Sequence, residues 1–176
     1  MFTTGVRHAL TVALAATATF ALAGTGTAHA DGLYYTFVAQ HSGKCLDVRD
    51  GSTAHGARVH QWQCIPGLAS QQWEVRPLDD GSYALINRRS GRCLDVYHAS
   101  TTDATIVVQA TCYFRNNQRW WITDDPANGS RPQKVVAKHS GKCLDVAWAD
   151  KANGTRLVQS RCWSGANQKW QISKVS

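Results

Sequence analysis

Three aspartates and six cysteines carry most of the chemical capacity of this chain, and they recur together. Asp47, Asp95 and Asp145 each take the third place of a Cys-Leu-Asp-Val segment, and the cysteines fall as Cys45 and Cys64, Cys93 and Cys112, Cys143 and Cys162, each pair 19 positions apart. Cysteines in this number either staple a fold or ligate a metal. Zinc is poorly served, since no Cys-x-x-Cys occurs. Many disulfide connectivities are open in principle, but a repeat makes pairing within each unit the simplest. Each bridge would then close a loop of roughly 20 residues, worth on the order of 3 kcal/mol. The recurring aspartates have two readings: a ligand-binding carboxylate, or a cap on the backbone N–H groups of a turn after a strand.

Catalysis has little to work with. Glu74, beside Trp73, is the single glutamate, and Asp79-Asp80 and Asp124-Asp125 read as solvated loops. Glycoside hydrolysis generally needs two carboxylates roughly 5 to 10 Å apart, whereas equivalent aspartates of three repeats should lie farther from one another. There is no HExxH and no GxSxG, and disulfide pairing would leave no thiol nucleophile. His41-Ser42 and His139-Ser140 are adjacent, and neighbours on a strand point to opposite faces, so no Ser-His dyad is expected. The chain reads as neither an enzyme nor a cofactor carrier.

The elements that position these residues are legible as a repeat. His41 to Val48 (His-Ser-Gly-Lys-Cys-Leu-Asp-Val) returns at Arg89 to Val96 and His139 to Val146, with starts 48 and 50 residues apart, and each unit ends in Gln-x-Trp at Trp73, Trp120 and Trp170. Every unit breaks into four short apolar or alternating runs. These are Tyr34 to Ala39, Lys44 to Val48, Arg58 to Gln63 and Gln72 to Arg76 in the first, and Ser82 to Asn87, Arg92 to Val96, Ile106 to Thr111 and Arg119 to Thr123 in the second. The third has Lys134 to Ala137, Lys142 to Val146, Leu157 to Ser160 and Lys169 to Ser173. Ser-Gly, Asp-Gly and Asn-Gly steps separate them, and no long amphipathic helix is present. A propeller needs at least four blades, so three four-stranded units predict an all-β fold closed with threefold pseudosymmetry, a β-trefoil with one disulfide per repeat. The Gln-x-Trp tryptophans are expected to fill its core.

Residues 1–30 read as a secretory signal. Arg7 precedes an apolar run from Ala9 to Ala23, and Ala28-His29-Ala30 offers a cleavage site before Asp31. The alternative, a membrane anchor, is disfavoured because the run is shorter than the about 20 residues of a span and is diluted by Thr11, Thr17 and Thr19. The domain would occupy residues 31–176, with repeats at about 34–78, 79–126 and 131–176. Loss of Arg7 lowers the formal charge from +7 to +6. The basic residues are scattered rather than massed in one tract, which reads as a solvated surface rather than a nucleic-acid footprint.

Together, Cys-Leu-Asp-Val, the second cysteine and Gln-x-Trp at this spacing resemble the ricin B-type lectin family and the carbohydrate-binding modules of secreted bacterial glycoside hydrolases, over almost all of residues 34 to 174. The resemblance implies one shallow sugar site per repeat. The Asp bridges two neighbouring pyranose hydroxyls, an aromatic ring 15 residues on packs against the sugar's C–H face, an Asn before the Gln-x-Trp completes the contacts, and the Gln orients the Asp. Mapped onto this chain, the first repeat has Asp47, Trp62 and Gln71, with Ser70 at the Asn position and His60 as a further hydroxyl donor. The second has Asp95, Asn117 and Gln118 but Ala110 at the aromatic position. The third has Asp145, Asn167 and Gln168 but Ser160 there. Tyr97, Tyr113, Phe114, Trp148 and Trp163 are candidate replacement rings, each of which could instead cover the barrel wall or a disulfide.

The expectation is a secreted, extracellular, monomeric module that binds polysaccharide or glycan, of galactose, xylan or arabinan type. No nucleic acid partner, metal or cofactor is implied, and no membrane span remains after signal cleavage. Two alternatives stay open: a protein-binding trefoil whose sugar sites have decayed, and a basic surface for an anionic polymer, which would show steep salt dependence.

Overall fold

The computed structural model describes residues 1–2, 33–123 and 131–175. Residues 3–30 of the expected signal segment, the cleavage site before Asp31 and Asp124-Asp125 therefore lie outside the described residues. Among these residues twelve strands follow in the order read from the sequence, with ends displaced by at most one residue: β1 Tyr34–Ala39, β2 Cys45–Val48, β3 Val59–Trp62, β4 Trp73–Pro77, β5 Tyr83–Asn87, β6 Cys93–Val96, β7 Thr105–Ala110, β8 Trp120–Ile122, β9 Val135–Ala137, β10 Cys143–Val146, β11 Leu157–Ser160 and β12 Trp170–Lys174. Among the described residues the remaining regular pieces are 3-10 turns of three residues.

Six strands close a barrel. β1 pairs with β12 and β4, β4 with β5, β5 with β8 and β8 with β9, and a bridge between Gln133 and Trp170 joins the segment before β9 to β12. The other six form hairpins β2–β3, β6–β7 and β10–β11, which cap one end. The starts of β3, β7 and β11 pair cyclically: Arg58 with Val108, Ile106 with Val158, and Arg156 with His60. Closure pairs the barrel strands on both sides, which removes long open sheet edges among the described residues.

Trp73, Trp120 and Trp170 are fully buried among Phe37, Leu46, Leu85, Leu94, Leu144 and Ile172, as expected of core residues. Each indole N–H donates to a backbone carbonyl of a capping hairpin: Leu46 at 3.2 Å, Leu94 at 3.1 Å and Leu144 at 3.1 Å. Barrel and cap are thereby tied by a polar contact inside an apolar core, where an unmade bond would cost about 1–3 kcal/mol. The disulfides are Cys45–Cys64, Cys93–Cys112 and Cys143–Cys162, one per repeat.

A second set of contacts locks the repeats to one another. Gln61, Gln109 and Gln159 are fully buried. Gln61 Nε2 donates to the carbonyls of Asp150 and Ala152, Gln109 Nε2 to Ser52 and Ala54, and Gln159 Nε2 to Ser100 and Thr102, at 2.7–3.0 Å. Each glutamine thus holds a loop of a different repeat, in a closed cycle. Its Oε1 accepts from the hydroxyl of Ser42, Ser90 or Ser140. In each hairpin turn the following residue, Gly43, Gly91 or Gly141, has φ of 65–67°, which a side chain would strain.

This corrects the reading of the His-Ser pairs. His41-Ser42 and His139-Ser140 sit in turns, not on strands, and each serine hydroxyl is committed to a glutamine. His41 Nε2 lies 3.1 Å from the Asp150 carbonyl and His139 Nε2 2.9 Å from that of Ser100, so the histidines help the same lock. Asp80 is not a merely solvated loop residue either. It bonds Ser82, Lys138 and Arg119, and these partners, Lys138 first, hold its carboxyl well below the usual carboxylate range.

Candidate functional site

The three aspartates are buried, although they lie on outer strands. In each Cys-Leu-Asp-Val strand, the Leu and Val pack into the barrel core. The Cys and Asp alternate to the outer face, where the disulfide-linked loop and a three-residue turn cover them. Those turns are Ala69–Gln71, Asn116–Gln118 and Ala166–Gln168, and each ends in the glutamine of Gln-x-Trp.

That glutamine bolts three segments together. Its Nε2 donates to the aspartate Oδ2, at 3.0 Å for Gln71 to Asp47, 2.7 Å for Gln118 to Asp95 and 2.6 Å for Gln168 to Asp145. The same nitrogen donates to the carbonyls of Gln63, Thr111 and Arg161, just before the second cysteine of each pair. Its Oε1 accepts the backbone N–H just after that cysteine, from Ile65, Tyr113 or Trp163. The aspartates therefore do not cap turns. They accept side-chain amides within strands, which corrects the turn-cap alternative.

The repeats differ at the other carboxylate oxygen. Asn117 Nδ2 donates to Asp95 Oδ1 at 3.0 Å and Asn167 Nδ2 to Asp145 Oδ1 at 3.1 Å, and each also reaches a strand carbonyl, of Val96 and Val146 respectively. In the first repeat the equivalent residue is the buried Ser70, and Asp47 Oδ1 is buried without a hydrogen-bond partner. Burial raises the carboxyl pKa of Asp95 and of Asp145 above the ordinary 3.8, and the glutamine and asparagine bonds partly oppose it.

The surroundings of the carboxylates also differ. Asp47 borders a cavity of about 310 Å³ with His60, Trp62, Ser70 and Arg89. His60 and Trp62 stack with ring centroids 5.5 Å apart, and His60 Nε2 stands 3.8 Å from Asp47 Oδ2. Asp95, Asn117 and Gln118 border a cavity of about 690 Å³, walled by Tyr97 and Tyr113 where Ala110 leaves space. Tyr97 stacks on His98 at 3.9 Å, and the Arg115 guanidinium lies 5.4 Å from the Tyr113 ring centre. Phe114 instead packs against Cys93, Ala84 and Ile86, covering the disulfide.

In the third repeat Trp163 folds back across the loop. A Cβ on Gly165 would stand 2.2 Å from its ring and 2.6 Å from Asn167 Oδ1. The Trp163 side chain also acts to lower the Asp145 carboxyl pKa, against the rise from burial. Trp148 points away from this carboxylate group, with Arg156 stacked 4.4 Å from its ring centre. All eleven anticipated residues thus gather into three separate clusters. Sequence reasoning did not rank Tyr97, Tyr113 and Trp163 above the other spare aromatics. The signal for Tyr113 and Trp163 was their place directly after the second cysteine.

A model for ricin-type beta-trefoil lectin domain-like sequences matches residues 18–110, 69–131 and 116–176. The chain belongs to that family. Among solved structures it is similar to ThreeFoil, a designed 3-fold symmetric protein, at 43% identity over 79% of this chain and 96% of that one, with a TM-score of 0.74. It is also similar to 1,3Gal43A, an exo-beta-1,3-galactanase from Clostridium thermocellum, at 35% identity and TM-score 0.77, over 83% of this chain but 31% of the galactanase. The Macrolepiota procera ricin B-like lectin, solved with lactose, shares the fold at 19% identity and TM-score 0.67, over 81% of this chain and 95% of that lectin. No curated protein matches the chain. Family and fold support a carbohydrate-binding role.

Proposed function

We propose that the chain is a secreted, non-catalytic carbohydrate-binding module for galactose-type or plant-polysaccharide (xylan, arabinan) sugars. One observation carries this reading: a buried aspartate fixed by a glutamine amide is built three times, and in two repeats it borders an open cavity with aromatic walls. A carboxylate oxygen bonded once retains acceptor capacity, so two neighbouring sugar hydroxyls can share one Asp. Indole or phenol faces suit the apolar C–H side of a pyranose.

In the first site Asp47 and His60 meet the hydroxyls while Trp62 packs on the ring, with Ser70 and Gln71 behind. The second combines Asp95, Asn117 and Gln118 with Tyr113 and Tyr97 in place of the aromatic absent at Ala110. At the third, Asp145, Asn167 and Gln168 depend on Trp163 as their ring. Shallow sites bind single sugars weakly, so several sites engaging one polysaccharide supply avidity. Residues 1–30 serve as the signal peptide of this reading, and three disulfides support an extracellular home.

Glycan arrays and pull-down on insoluble galactan, xylan and arabinan test it. Binding competed by a free sugar is expected, with loss of most avidity in the combined Asp47→Ala, Asp95→Ala and Asp145→Ala variant. A folded wild-type protein that binds none of these surfaces overturns the reading.

A further inference from the structure

Beyond the three aspartate clusters, the cyclic pairing of β3, β7 and β11 creates a feature that no single repeat contains. His60 is the register partner of Asp47 on one side and the bridge partner of Arg156 on the other. Paired residues of neighbouring antiparallel strands project to the same face. The row Asp47, His60, Arg156 therefore runs from the first cluster into the third repeat. A separate cavity of about 250 Å³ opens there, and His60 lines both it and the cavity beside Asp47.

The second cavity is basic. Arg49, Arg58 and Arg156 line it, against the single carboxylate of Asp150. The Asp150 carboxylate accepts the Ala152 N–H of its own turn. Arg49 stands 3.6 Å from the exposed Asp50, whereas neither Arg58 nor Arg156 has a carboxylate partner among the described residues. Arg156 Nε is buried and makes no hydrogen bond. Three guanidinium groups around one cavity with a single carboxylate, and an unmet buried donor on one of them, make the arrangement complementary to an anion.

A stacking platform stands beside them. Trp148 is 78% exposed, and its backbone φ is 57°, a left-handed conformation that is unfavourable for a bulky residue. The same turn position holds Asp50 and His98 in the other repeats, so the fold imposes the backbone and this repeat places an indole on it. The second repeat has Ile106 and Val108 where Arg58, Arg156 and His60 stand, so the basic cavity is not a product of the threefold symmetry.

We infer that Arg49, Arg58 and Arg156 with Trp148 form a subsite for a negatively charged sugar residue, carrying a carboxylate or a sulfate ester, linked to the sugar held at Asp47. Arginine forks match either group, and the exposed Trp148 offers the face opposite Arg156 to its ring. This inference rests on the proposed sugar site at Asp47 and adds the ligand class: an acidic glycan spanning the first and third repeats.

Three matched probes test it by calorimetry and NMR titration at low salt: galactobiose, galactosyl-galacturonic acid and galactosyl-galactose 6-sulfate. At least one acidic probe should bind about fivefold or more tighter than galactobiose, and which one does so identifies carboxylate or sulfate as the group. The ratio should fall below about two in Arg58→Ala and in Arg156→Ala, and persist in Lys174→Ala, which removes a charge elsewhere. The Trp148 indole resonance should shift with the acidic probe alone. Equal affinity for all three probes, with binding weakened in Asp47→Ala, overturns the acidic subsite and leaves the neutral site standing. Acidic-probe binding unaffected by Asp47→Ala refutes the linked subsite, whereas galactobiose binding unaffected by Asp47→Ala refutes the Asp47 reading itself. A ratio that drops equally in Lys174→Ala also overturns the inference, since net charge alone would then explain it.

Discussion

Replacing Ser70 by Asn should stabilise the protein, because it supplies the donor that Asp47 lacks. In the second and third repeats the asparagine at this turn position bonds both the carboxylate Oδ1 and a strand carbonyl, at 3.0–3.2 Å. Asp47 Oδ1 has neither this partner nor another. A hydrogen bond to a buried charged oxygen is worth about 1.5–3 kcal/mol, and the second bond, to the Val48 carbonyl, about 1 kcal/mol. Against this stand roughly 1 kcal/mol for ordering a longer side chain and about 1 kcal/mol of crowding. Crowding is limited because Ser70 borders the 310 Å³ cavity. The net gain is about 0.5–2 kcal/mol, a rise in Tm of roughly 2–6 °C for a domain of this size. Denaturant and thermal unfolding of wild type and Ser70→Asn, followed by tryptophan fluorescence, measure it. The reverse change, Asn167→Ser, should cost about 1–3 kcal/mol by leaving Asp145 Oδ1 unmet. An unchanged or lower Tm for Ser70→Asn would refute the claim that the orphan oxygen is a stability deficit.

Three further outcomes follow from the same contacts. Because burial raises Asp95 and Asp145 above 3.8, the native state binds their protons more tightly than the unfolded chain, and their ionisation costs stability. Relative to Asp95→Asn/Asp145→Asn, the wild type should gain stability as pH falls through the raised native values, with the gain complete below 3.8; unfolding curves from pH 7 to 4 showing the opposite trend would contradict it. Gln118→Ala removes four hydrogen bonds, to Asp95, Thr111, Tyr113 and Phe114. It should cost about 3–4 kcal/mol and speed amide exchange at Tyr113 and Phe114, a result absent if the glutamine only fills space. Gly165→Ala puts a methyl where the Trp163 ring lies, so a clear change in Trp163 fluorescence or near-ultraviolet circular dichroism is expected, and an unaltered spectrum would place that ring elsewhere.

Much of the site was legible because its parts sit at fixed offsets within one repeat. Asp47, Gln71 and their counterparts meet through a strand, a disulfide and a three-residue turn that the sequence spells out each time. The replacement aromatics were harder. Ala110 and Ser160 show that a ring is missing, but Tyr113, Phe114 and Trp163 differ in destination only through loop conformation: Phe114 covers a disulfide, Tyr113 lines a cavity, and Trp163 lies on the one residue small enough to accept it. Asp80 read as a loop acid because Lys138, its principal partner, is 58 positions away.

By itself the sequence determined the threefold β-trefoil, its strands, its disulfides and its tryptophan core. Those depend on periodic burial and short loops, which are local and repeated three times. Tertiary structure alone decided what passes between repeats. The Gln61, Gln109 and Gln159 lock and the gathering of Arg58 and Arg156 around one cavity arise where segments far apart in the chain are brought side by side. Arginines that are dispersed along the chain become one basic cavity because barrel closure, which no local pattern encodes, brings the strand starts together at the threefold axis.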